Sequence, residues 1–63
     1  MRAELSRRQV EIVALAVKGL SNRQIADKLD IAEGTVKTHL HHALKATGMA
    51  NRTALVRWWH DSR

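Results

Sequence analysis

Apolar residues fall in four blocks along this chain, each spaced at three and four residues as one side of a helix requires. Val10, Ile12, Val13, Leu15, Ala16 and Val17 form the first, followed by Ile25, Ala26 and Leu29, then Val36, Leu40, Ala43 and Leu44, and last Leu55, Val56, Trp58 and Trp59. Strict apolar–polar alternation is missing. The predicted fold is all-α, with four helices over about 6–18, 21–29, 33–47 and 51–60.

The stops and starts agree with this division. Ser6 with Gln9, and Ser21 with Gln24, have the spacing at which each side chain takes a backbone amide that the helix cannot satisfy itself. Asn51 is placed to cap the fourth helix. The three glycines are read as lying between helical segments, with Gly19 and Gly48 supplying left-handed residues at helix ends. Asp30 takes the corresponding place after the second helix, and Ile31 follows as an apolar plug. Ala32 gives the third helix no side-chain acceptor, although Glu33 suits the positive end of the helix dipole. The first helix is apolar over more than one stripe, so it should be covered on more than one side. In the fourth, Trp58 and Trp59 point about 100° apart, so one should pack on the core and leave the other free for a partner.

Composition narrows the function. Sixty-three residues bury one modest core, too small to enclose a deep substrate cavity. Cysteine is absent, which excludes disulfides and thiolate metal sites and fits a reducing compartment. No apolar run reaches the length of a membrane span. Eleven Lys and Arg against six Asp and Glu leave a net charge of +5, which favours a polyanionic partner, nucleic acid or a membrane surface, over a merely solubilising coat. Between Ser21 and Lys45, however, Arg23, Lys28, Lys37 and Lys45 face Asp27, Asp30 and Glu33, so the central segment is only weakly basic.

That segment reads as a short helix, a tight turn and a longer helix whose outer side is polar, the arrangement that sets a helix into a major groove. The motifs Leu5-Ser6-x-Arg8-x-x-Glu11-Ile12, Gly19-Leu20-Ser21-Asn22-Arg23-x-Ile25-Ala26-x-x-Leu29-x-Ile31, Thr35-Val36-Lys37-x-His39-Leu40 and Asn51-Arg52-Thr53 resemble the LuxR/GerE-type DNA-binding domain, the output module of NarL/FixJ-type response regulators. The resemblance covers Leu5 to Trp59. It implies a bacterial, cytoplasmic and nucleoid-associated transcription regulator without enzymatic activity or cofactor. Its partners would be double-stranded DNA, a second copy of the chain and RNA polymerase, with no membrane and no small-molecule substrate in this domain. Residues 1–63 would be a single domain, the C-terminal output domain of a longer protein, with a standalone small regulator as the alternative.

Carried over by position, the resemblance puts Lys37, Thr38 and His41 at base edges. Ser21, Asn22, Arg23, Thr35, His39 and Lys45 would lie near the phosphate backbone. Val56, Trp59 and His60 would lie in a dimer contact. The chemistry agrees, because lysine donates to guanine acceptors, a threonine methyl touches thymine, and free amides at a helix start bind phosphate. The chain departs from the family at Ala32, where a capping serine is usual, and at His42, Ala43, Ala46, Thr47 and Trp59.

The residues support other functions less well. His39 and His42 share a helix face, but no cysteine or suitably placed carboxylate completes a zinc site. Ser6 and Ser21 are occupied as caps, and no nucleophile–base set stands out. Arg8 and Glu11 read as a structural surface pair. The promoter-binding region of a sigma factor shares a similar pair of helices, although Asn51-Arg52-Thr53 and the closing helix argue against it. A helical protein–protein module, using the first helix and the tryptophans, is the alternative from another class.

Overall fold

A computed structural model describes residues 5–61, so the ends of the 1–63 domain lie outside the described residues. Four helices are present: α1 (Arg7–Val17), α2 (Asn22–Leu29), α3 (Glu33–Thr47) and α4 (Arg52–Asp61), with no strand among the described residues. The expected ranges were a residue longer at several ends because Ser6, Lys18, Ser21 and Asn51 flank the helices as caps or adjoining residues. At the other end, α4 continues one residue past His60.

Both capping boxes form. The Gln9 amide donates to Ser6 Oγ at 3.1 Å while the Ser6 amide donates to Gln9 Oε1 at 2.9 Å. The same exchange at Ser21 and Gln24 runs at 3.1 and 2.8 Å. Asn51 Oδ1 accepts the Ala54 amide at 2.9 Å, which caps α4.

The first three helices end on one shared device. A left-handed residue, Gly19 (φ 96°), Asp30 (φ 57°) or Gly48 (φ 72°), turns the chain. The amide of the next residue then reaches back five positions: Leu20 to the Leu15 carbonyl at 3.3 Å, Ile31 to Ala26 at 3.0 Å and Met49 to Leu44 at 3.1 Å. Leu20, Ile31 and Met49 all pack, partly buried, against the core. Each turn thus satisfies a helix-end carbonyl and returns an apolar residue to the interior. The three residues Asp30, Ile31 and Ala32 separate α2 from α3, and the ordered backbone at Asp30 sets their angle.

Ile12, Val13 and Ala16 of α1, Ile25 and Ala26 of α2, Val36, Leu40 and Ala43 of α3, and Leu55 of α4 form the buried core. α1 and α3 each pack against all three other helices, whereas α2 and α4 do not meet along their backbones. The apolar surplus of α1 is accounted for by this central position, with Leu15 and Val17 partly buried beside the core.

Two expectations are corrected. Gly34 does not separate helices: it lies exposed in the first turn of α3, where its helical backbone makes no demand for glycine. Neither tryptophan is left bare, since Trp58 and Trp59 are both half-buried and both pack against the core. Leu55 is the fully buried residue of α4, and the two indoles add partly buried apolar cover to the small core.

Candidate nucleic-acid interface

The rotation of α3 about its own axis is set by what it buries. Val36, Leu40 and Ala43 turn inward, and successive residues step about 100°, so Gly34, Lys37, Thr38, His41, His42 and Lys45 come to the outside. All of these are exposed. The structure therefore brings Lys37, Thr38, His41 and Lys45 together on one face of a helix about 22 Å long, a rise of 1.5 Å for each of its 15 residues. Thr35 is exposed in the first turn.

Thr38 has a narrower chemistry than its residue type allows. Its hydroxyl donates to the Gly34 carbonyl at 3.1 Å, so a partner beyond the helix meets the methyl group and an acceptor oxygen, not a donor. His39 is half-buried, and its Nδ1 is enclosed without a hydrogen-bond partner. Nε2 is thus the ring nitrogen left for any ligand.

The start of α2 carries the other group of candidate contacts. Its capping box takes the Ser21 and Gln24 amides, which leaves the Asn22 and Arg23 amides without helical partners, as helix geometry requires. Ser21 and Arg23 are exposed, while Asn22 is partly buried. Free amides at the positive end of a helix, beside a guanidinium, have the charge and donor geometry that suit an anion.

Arg52 is the functional-site residue that pattern reasoning missed. From the first position of α4 it donates through Nη1 to Asn22 Oδ1 at 2.8 Å and through Nη2 to the Leu20 carbonyl. It ties α4 to the corner that leads into α2, and it turns the Asn22 side-chain oxygen inward. What Asn22 can offer a ligand is therefore its amide hydrogens. The Asn51-Arg52-Thr53 motif was visible in the chain, but its spacing carries no sign of a partner so far upstream.

On α4, Val56 and Trp59 are half-buried and His60 is exposed. Arg8 and Glu11 form the surface pair read from their spacing, with Nη1 and Oε1 3.4 Å apart.

Comparison with known proteins agrees with this geometry. Residues 3–59 match the family described as bacterial regulatory proteins, luxR family. Over 60 residues the chain is 40% identical to the nitrate/nitrite response regulator protein NarL of Escherichia coli K12, covering 95% of this chain and 28% of that protein. It is 43% identical over 60 residues to the CsgBAC operon transcriptional regulatory protein of the same strain, with the same coverage of each. The crystal structure of the response regulator ChrA of a heme-sensing two-component system superposes with a TM-score of 0.89 at 48% identity, over 100% of this chain and 31% of that one. The chain thus spans under a third of the length of these relatives. With four helices in this arrangement and a match over nearly its whole length, the chain belongs to the luxR family of bacterial regulatory proteins and is a LuxR-type, non-enzymatic DNA-binding domain of a transcriptional regulator.

Proposed function

We propose that this domain reads duplex DNA sequence-specifically by laying α3 in the major groove. Lys37 would donate to guanine O6 or N7, and Thr38 would offer its methyl to thymine or its oxygen to a base donor. His41 would complete the base-reading set. Ser21, Asn22, Arg23, Thr35, His39 and Lys45 would hold the phosphate backbone and so fix register. The observation that carries this reading is that Lys37, Thr38 and His41 are all exposed on one face of a helix whose rotation is fixed by three buried residues.

The longer relatives are described as response regulators and operon regulators, which supports an output domain coupled to a switch elsewhere in a regulator, within a two-component system. Such a protein works in the bacterial cytoplasm at the nucleoid and communicates with RNA polymerase. A homodimer joined along α4, through Val56, Trp59 and His60, would present two reading helices to paired half-sites.

Selection from a random duplex pool tests the reading. Enrichment of one motif, with binding that falls steeply with salt, is the expected result. Retention without any enriched motif would reduce the domain to non-specific phosphate binding.

A further inference from the structure

The outward face of α3 carries few fixed charges: Lys37 and Lys45 are its cations, and Glu33 is the acid of the first turn. Between the two lysines stand His41 and His42, both exposed, with ring centroids 6.2 Å apart and planes tilted by 49°. The charged groups on the helices packed against α3 are Arg7, Arg8 and Glu11 of α1, Arg23, Asp27 and Lys28 of α2, and Arg52, Arg57, His60 and Asp61 of α4. None of their carboxylates pairs with either ring; the ion pair among the described residues is Arg8 with Glu11. No group of three metal-ligating side chains includes the two histidines among the described residues.

We propose that His41 and His42 together form a proton-accepting pair at the DNA interface, so that binding takes up protons and tightens on acidification. This rests on the reading of α3 as the DNA-facing helix, and it adds His42 to the side chains that face the duplex. Histidine is the side chain that ordinarily changes charge between pH 5 and 8. A nearby phosphate array favours the imidazolium over the neutral ring, because opposite charge stabilises the protonated form. Protons bound more tightly in the complex than in the free chain make affinity depend on pH. The sign follows directly. The gain is complete at a pH where the unbound rings are already protonated, and it is lost as pH rises through the range where the bound rings release their protons. On a face with two fixed cations, one or two further charges are a large fraction of the total.

The test is fluorescence anisotropy of the chain with a labelled mixed-sequence duplex at about pH 6 and about pH 8, at constant ionic strength. Affinity should be about tenfold or more higher at the lower pH, within a limit of about tenfold per pH unit for each proton taken up. A variant carrying both His41→Gln and His42→Gln keeps His39 and His60 and should bind with a clearly shallower pH profile than the wild-type chain, whatever its affinity. Equal affinity of the wild-type chain at both pH values, or an unchanged slope in the double variant, overturns the proposal while leaving the DNA reading intact. If circular dichroism shows a folded chain that binds no duplex at either pH, the DNA reading fails, and the proposal fails with it.

Discussion

Arg52 joins parts of the chain that no local pattern connects. Its guanidinium reaches a carbonyl 32 residues upstream and a side chain 30 residues upstream, and it bridges α2 and α4, whose backbones do not otherwise meet. Charge-assisted hydrogen bonds to partly buried acceptors are among the stronger polar contacts. Arg52→Ala leaves the Leu20 carbonyl without this donor, and we predict a loss of about 2 kcal/mol and a fall in Tm of roughly 10 °C, measured by thermal denaturation. Adding Asn22→Ala to that variant should lower stability little further, since the two residues share one contact. The contrast with the caps is instructive. Ser6, Ser21 and Asn51 were legible because each partner lies three residues away, within the same helix start. Arg52 was not, because its partners are defined only once the helices have packed. The restricted donor chemistry of Thr38 was hidden for a related reason, since a rotamer choice decides it.

At the level of the elements, apolar spacing located all four helices, and the left-handed stops at Gly19, Asp30 and Gly48 followed from residue type. Two features escaped it. Periodicity could not show that two adjacent indoles would both find cover, because the width of the core beneath α4 is a tertiary property. Nor does treating glycine as punctuation distinguish Gly34, which sits in regular helical backbone. α3 remains the element with the least secure start. Ala32 has the extended backbone of an N-cap, φ −71° and ψ 146°, but makes no side-chain cap bond. Ala32→Ser should supply the missing acceptor to the Thr35 amide and raise stability by about 1 kcal/mol, visible as a higher melting temperature. A neutral or destabilising result would mean that the first turn of α3 is already satisfied by its Ala32 carbonyl bonds, to Thr35 at 3.0 Å and to Val36 at 3.2 Å.

Taken as a whole, the molecule is a small core holding one helix at a fixed rotation, with the start of α2 positioned by an ordered turn and by Arg52. The +5 net charge is spread beyond the weakly basic central segment, so on the proposed reading long-range attraction to DNA would come from the whole surface and selection among sequences from a few side chains on α3. Those two contributions separate experimentally. Lys37 is exposed and forms no ion pair within the described residues, so removing its side chain should leave the melting temperature almost unchanged, as for most surface positions. The most direct measurement is the affinity of the wild-type chain and of Lys37→Ala for a duplex carrying the selected motif and for a scrambled duplex, across a series of salt concentrations. We predict that the wild type prefers the selected duplex and that Lys37→Ala loses about 1–3 kcal/mol of that preference, with the fold intact. Equal affinity of the wild type for both duplexes, or a Lys37→Ala chain that keeps the full preference, would contradict the placement of α3 as the reading helix.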